Sequence, residues 1–406
     1  MKRICACCLL CILLGGCSPD TVDENTTTPL RVWVGDHADI AWMEQVVRDF
    51  TAANPDKAYH VQIGVQNEGD AAKAILADVE AAADVFTFAD DQLADLLAGG
   101  ALMPITEGSE TIIDRNTAAS VQSATGPDGK LYAYPATADN GYFLFYNSAF
   151  ITREDAASLE RLLDRAAEHG RRFAFPLANA WYLYSFFRGA GLEMSLAPDG
   201  LNNICNWNAT DTHISGVQVM TSLLDIADHP GFVEADSDVF VAGLKDGSII
   251  AGVSGTWNAN VAAQVWGENY SAAKLPTYNV AGQSVQMASF SGFKLVGVNA
   301  YSPHAGAAMD LAAFMTDYDA QMDRFRLRRQ GPSNVAALAS PEVQSEPAIT
   351  AIIAQAPYAD VQRVGSKYWD AAGSLGKIIA TGNPAGTDLQ TLLDNAVAGI
   401  TAPADQ

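Results

Sequence analysis

The sequence predicts an α/β protein of two lobes, with a ligand cleft between them and a chain that crosses from lobe to lobe more than once. Three observations lead there. From residue 30 onward, short apolar runs alternate with stretches of helical spacing. No internal repeat of roughly 20–50 residues marks a solenoid, and no linker divides the chain beyond residue 29. The 406 residues are 49% hydrophobic and 17% charged, enough to build large cores.

The elements follow in order. Residues 30–34 (LRVWV) read as a buried strand. Ile40, Met43, Val46, Val47 and Phe50 then recur at helical spacing. Residues 60–65 form a second strand, 70–82 a helix, and 84–88 (DVFTF) a third strand. A helix over 92–98 stops at Gly99-Gly100. The turn Gly126-Pro127-Asp128-Gly129 precedes strands at 130–134 and 142–146. Leu159, Leu162, Leu163 and Ala166 mark one helix face, before a strand at 172–177. Helices fit 215–227, 239–244 and 305–315, and 248–253 (SIIAGV) is an apolar strand. The tail over 366–400 is helical, broken at 382–386. Such alternation predicts mainly parallel sheets, and open α/β sheets bind ligands beyond the carboxyl ends of their strands. Two such lobes face to face make a cleft.

The first residues obey other rules. Lys2 and Arg3 precede an apolar stretch over 4–14, far short of the ~20 residues a membrane-spanning helix needs. Gly15 and Gly16 then precede Cys17, so residues 1–16 read as a secretory signal peptide. The run Leu14-Gly15-Gly16-Cys17 resembles the lipobox of bacterial lipoproteins. That resemblance implies cleavage before Cys17, fatty acylation of its thiol (diacylglycerol, with palmitate among the chains) and anchorage to the cell membrane. Residues 17–29 would be the lipidated cysteine and a polar, acidic tether. Five of the six cysteines lie within residues 1–17, so Cys205 has no internal disulfide partner and reads as a half-buried structural residue.

A net charge of −23 with no long basic run argues against nucleic acid as a partner. Catalytic motifs are incomplete. Gly252-Val253-Ser254-Gly255 lacks the second spaced glycine of a nucleophile elbow, and Ser271-Ala272-Ala273-Lys274 has no K-T-G after it. Gly373 to Lys377 is too short for a phosphate loop and is followed by Ile378. The six histidines are scattered, without metal-binding spacing. The expectation is a chain that is not an enzyme and carries no cofactor or metal.

An ordered series of segments resembles the maltose/maltodextrin-binding proteins of ABC importers, in the wider family of extracellular sugar-binding proteins. The segments are VWVGDH (32–37), DVFTFADDQLADLLAGGALMPI (84–105), LYAYPATADNGYFLFYNSAFI (131–151), GVSGTWNANV (252–261), and the long run from Leu275 to Ala308. The resemblance implies a periplasmic-binding-protein-like fold, with one lobe over 30–139 plus 292–341 and the other over 140–291 plus 342–404. It implies a monomer with several hinge crossings, at 139–141 and 289–293 among them. Partners would be a carbohydrate and the permease subunits of the transporter. It also assigns roles. Phe88, Trp181, Trp257 and Trp369 fall where aromatic rings stack on sugar rings. Asp36, Asp91 and Asp139 fall where carboxylates hold sugar hydroxyls. His37, Gln92 and Asn179 occupy polar ligand positions, departing from the family's usual Lys, Arg and Glu.

The residue chemistry suits a sugar independently. A pyranose offers apolar C–H faces to aromatic rings and a rim of hydroxyls to charged acceptors. The same aromatics and carboxylates would also make a box for a polyamine. A surface glycoside hydrolase or a structural adhesin are the other readings; product analysis and ligand binding separate them.

Substituting Cys17→Ala is expected to leave the protein without lipid and move it to the soluble fraction, because stable anchoring takes more than one acyl chain. Mass spectrometry and membrane fractionation check this; equal membrane retention with no lipid mass on either form would refute the anchor.

Overall fold

The computed structural model describes residues 27–404, so the expected signal peptide, Cys17 and the tether up to residue 26 lie outside the described residues. The α/β expectation holds, and the fold is that of two five-stranded sheets, each layered with helices. The first sheet has the spatial order Ala58–Val65, Thr27–Val34, Val85–Ala89, Lys294–Val298, Ala133–Thr137. The second has the order Tyr270–Ala273, Phe143–Asn147, Ile249–Ser254, Arg172–Phe175, Phe232–Glu234. The chain passes from the first sheet to the second between Thr137 and Phe143, and returns between Ser291 and Lys294.

Two local expectations need correcting. Thr27, Thr28 and Pro29 are strand rather than tether, pairing in parallel with Ala58, Tyr59 and His60. Proline is tolerated because the other neighbour, Val85–Ala89, pairs only at Val32 and Trp33, so no ladder bond is asked of its nitrogen on that side. The sheets are also mixed rather than mainly parallel. In the first, Lys294–Val298 runs antiparallel to both neighbours; in the second, Phe143–Asn147 does. Each of these strands sits next to a crossing and enters its sheet from the cleft side. The remaining neighbours, whose connections run back through helices, are parallel.

The cores follow from patterning. Helix Ile40–Ala53 buries Trp42, Met43, Val46 and Phe50 against the first sheet, at the i, i+3, i+4 spacing of one face. Helix Leu159–Glu168 does the same against the second sheet with Leu159, Leu162, Leu163 and Ala166, and Ser158 caps its start by accepting from the Arg161 N–H. Helix Ala180–Gly189 (AWYLYSFFRG) is absent from the periodic reading because it is apolar on nearly every side. Tyr182 to Phe187 are all buried, since the helix lies inside the second lobe, between sheet and tail. Its Phe187 stacks on Trp207 at 4.1 Å between centroids, and Tyr368 of the tail helix Lys367–Ala380 meets the edge of Trp207 at 6.0 Å. Helix Leu389–Ile400 covers this layer, so the end of the sequence completes the second core. Cys205 is half-buried here, and burial pushes its thiol up to about 12, which suits packing rather than reactivity.

Phe88 belongs to this layer of explanation rather than to the ligand. Strand Val85–Ala89 is buried at every position, and Phe88 is fully buried beside Phe86 at 5.7 Å in the first core. A central strand covered on both faces has no side chain to spare for the cleft.

Candidate functional site

A cleft of about 1220 Å³ lies between the sheets. In the first lobe, the three parallel strands all deliver their carboxyl ends to it. Thr27–Val34 leads to Gly35 and Asp36, Ala58–Val65 to Asn67 and Glu68, and Val85–Ala89 to Asp91. The antiparallel strand contributes its first residue, Lys294. In the second lobe, Arg172–Phe175 leads to Asn179 and Trp181, Phe232–Glu234 to Asp236, and Ile249–Ser254 to Trp257. Trp369, from the first turn of helix Lys367–Ala380, completes that wall.

The first lobe's wall is charged and braced from below. Arg328 Nε donates to Asp39 Oδ1 at 2.9 Å, and Arg324 lies 3.4 Å from Asp39 and 3.5 Å from Glu68. Lys294 Nζ pairs with Glu68 at 2.5 Å, and Arg328 reaches Asp36 at 3.5 Å on the rim. Burial by itself would raise the Asp39 carboxyl, but Arg324, Arg328 and Lys294 outweigh it and hold the group below the usual range. Glu68 lies across Gly35, so a Cβ there would stand 2.5 Å from Glu68 Cδ and push that side chain from its ion pairs.

The second lobe's wall is aromatic. Trp181 and Trp257 are half-buried, with ring centroids 5.8 Å apart and planes at 37°. Asn179 caps its helix by accepting from the Trp181 N–H at 2.9 Å, and Tyr142 Oη donates to the Trp181 carbonyl at 2.8 Å. Trp257 lies in the turn Thr256–Asn258, its indole folded back over Gly255, where any Cβ would collide with the ring. Asn258 is buried and holds the turn by donating to Ser237 Oγ and Ser254 Oγ at 2.8 and 2.9 Å. Lys294 reaches across from the other lobe, its ammonium 5.7 Å from the Trp257 ring centroid. Trp369 is half-buried, 5.1 Å from Tyr368 and 6.4 Å from Phe290.

Of the residues singled out from sequence, the cleft brings together Asp36, Asp91, Asn179, Trp181, Trp257 and Trp369. Four do not line it. Phe88 is in the core, as described above. Gln92 is buried; its Oε1 accepts from the Ala72 N–H at 2.7 Å and its Nε2 donates to the Glu68 carbonyl, so it fastens the loop behind Glu68. Asp139 is buried at the first crossing and accepts from the Gly331 N–H, leaving its neighbour Asn140 to face the cleft. His37 is exposed on the turn His37–Asp39 and is not part of the cleft lining; Asp36 beside it takes the capping position and accepts from the Ala38 N–H at 2.8 Å.

Sequence reasoning missed Glu68, Lys294, Glu234 and Gln362, which also line the cleft. A lysine opening the apolar run KLVGV was a readable signal for Lys294. Nothing local distinguishes Gln362. Glu234 is committed to its own lobe, accepting from the Leu177 and Ala178 N–H groups at 2.8 and 3.1 Å, while burial raises its carboxyl. Asp91 is held differently. Burial, and next the charge of Asp90, push its carboxyl up to about 6. Its Oδ2 accepts from Gln362 Nε2 at 2.6 Å, while its buried Oδ1 has no partner among the described residues. Among the described residues, no group of three or more His, Cys, Asp or Glu is placed to hold a metal ion, and no helix is long and apolar enough to cross a membrane.

The chain resembles known proteins over nearly all of this framework. It is 25% identical over 331 residues to the galactooligosaccharide-binding protein of Bacillus subtilis (strain 168), covering 77% of this chain and 75% of that protein. A solved structure with acarbose superposes with a TM-score of 0.80 at 28% identity, over 92% of this chain and 99% of the other. The maltodextrin-binding protein from L. casei BL23 without ligand superposes with a TM-score of 0.75 at 24% identity, over 92% and 99% of the two chains. The family model for bacterial extracellular solute-binding proteins matches residues 45–351. With its two lobes, its mixed sheets and its cleft at the strands' carboxyl ends, the chain belongs to the bacterial extracellular solute-binding protein family.

Proposed function

We propose that the chain captures a neutral carbohydrate in this cleft, first among candidates a malto-oligosaccharide, and delivers it to the permease subunits of an ABC importer. One observation carries the reading: three half-buried tryptophans of one lobe, Trp181, Trp257 and Trp369, face carboxylates of the other, Asp36 and Asp91, across an open cleft. Indole faces cover the C–H faces of a pyranose at small entropic cost, while carboxylate oxygens accept strongly from its hydroxyls. The similarity to the structure with acarbose and to the galactooligosaccharide-binding protein supports an oligosaccharide without choosing its linkage. Anchorage through Cys17 would keep the protein outside the membrane beside its transporter.

Delivery requires motion. Two of the crossings, between Thr137 and Phe143 and between Ser291 and Lys294, are short enough to act as hinges for rigid lobes. A ligand touching both walls favours the closed arrangement by its differential affinity.

Three outcomes test the proposal. Trp257→Ala should weaken maltotriose binding by about 2 kcal/mol or more, roughly thirtyfold, as aromatic hot spots do. The unliganded unfolding midpoint should barely move, whereas a core tryptophan would cost about 3–5 kcal/mol. Calorimetry beside thermal unfolding checks both; tight binding of spermidine in place of sugar would overturn the carbohydrate reading. Affinity in the unsubstituted protein should rise as pH climbs through about 6, because the ionised Asp91 carboxylate is the stronger acceptor. Asp91→Asn should flatten that dependence, and calorimetry between about pH 5 and 7.5 reads it. Small-angle scattering should show a smaller radius of gyration with saturating maltotriose; an unchanged profile would count against closure.

A further inference from the structure

Gln362 stands where the two lobes meet. It follows the short strand Ala359–Val361, and its backbone N–H donates to the Ser291 carbonyl at 2.9 Å, beside the second crossing. The side chain is 7% exposed and hydrogen-bonded at both ends. Trp181 Nε1 donates to Oε1 at 2.6 Å, and Nε2 donates to Asp91 Oδ2 at 2.6 Å. Shape alone does not tell the two ends of an amide apart, but chemistry does here. An indole N–H only donates, so the end facing Trp181 must be the oxygen. The NH2 end then faces Asp91 and occupies Oδ2. What remains to Asp91 is Oδ1, buried and without a partner among the described residues.

We propose that Gln362 is a positioning residue of the ligand site: it fixes the plane of the Trp181 indole in one lobe and holds the Asp91 carboxylate in the other. The role in ligand binding rests on the carbohydrate reading; the bridge itself does not. No other residue type of similar size satisfies both partners. Glutamate keeps the acceptor for Trp181 but sets a second carboxylate against Asp91; methionine keeps the bulk and loses both bonds.

The test reverses donor and acceptor. In Q362E, maltotriose affinity should fall by roughly tenfold or more, the consequence of two unreconciled buried groups. Adding D91N to Q362E restores a donor facing an acceptor, with the amide now on the other side. Much of the affinity should return, although D91N by itself weakens binding. A second readout needs no ligand. The Trp181 indole N–H resonance, assigned with W181F, should move upfield in Q362M and stay close to its original position in Q362E. A D91N loss that simply adds to that of Q362E, or a Trp181 resonance indifferent to Q362M, would overturn the assignment. If the unsubstituted chain binds no maltotriose, the carbohydrate reading fails while the resonance still decides the bridge; should Q362M not fold, Q362E and the double variant carry the comparison.

Discussion

The first lobe's half of the cleft depends on one buried lattice of charge. Two arginines from helix Tyr318–Arg328 and one lysine from strand Lys294–Val298 are held among Asp39, Glu68 and Asp36. The acids come from the loops after the first two strands, and the bases from a part of the chain that has already visited the other lobe and returned. The lattice therefore closes only when both passages through the first lobe are in place. Desolvating these groups costs energy that their mutual attraction offsets only in good geometry, so its clearest consequence is specificity of arrangement. It holds Glu68 across Gly35, draws Lys294 to the cleft and leaves Asp36 exposed on the rim.

The opposite wall is built by another route. Its tryptophans are held by neighbours that are themselves aromatic or amide. Trp181 lies against Tyr142 at 4.6 Å and Trp257 at 5.8 Å, and Trp257 rests on a glycine in a turn tied down by Asn258. Rings packed at their edges and backs leave a face free without becoming loose, as a stacking platform requires. One wall thus offers fixed charge and the other fixed apolar faces. The contacts that already bridge them, Lys294 over Trp257 and Gln362 between Asp91 and Trp181, are few and polar. Behind the cleft the chain's last passage between lobes is apolar instead, with Met322, Phe325, Ala337, Val343 and Ile349 in one cluster.

Hinge chemistry is equally particular. Asp90 accepts from the Phe293 N–H at 2.9 Å and lies 3.2 Å from Arg363, so the second crossing and the strand Val85–Ala89 share one carboxylate. Burial, largest of the influences on it, still leaves the Asp90 carboxyl above its usual value despite that guanidinium. Asp139 plays the matching part at the first crossing through the Gly331 N–H. Both acids are therefore spent on positioning the chain between lobes, and that is why Asp91 and Asn140, each one residue further along, are the ones that face the cleft.

Much of this was legible in the sequence because it is local. Periodicity marked most strands and the amphipathic helices, and the order of short motifs pointed to the family, whose resemblance named Trp181, Trp257 and Trp369, three residues that line the cleft. Helix Ala180–Gly189 escaped because a helix buried all round has no periodic stripe to read. Phe88, Gln92 and Asp139 lie away from the cleft lining for a different reason: cover on both faces of the central strand and hydrogen bonding to distant backbone, not residue type, decide whether a side chain turns inward or toward the ligand. Glu68, Lys294 and Gln362 could be assigned only in three dimensions, since their partners lie across sheets, crossings and lobes. The sequence by itself determined which chemistry was present and which segments would form most of the strands and amphipathic helices. The tertiary structure decided which of those groups meet, because charge pairing and amide bridging act over a few ångströms of space, whatever distance along the chain separates the partners.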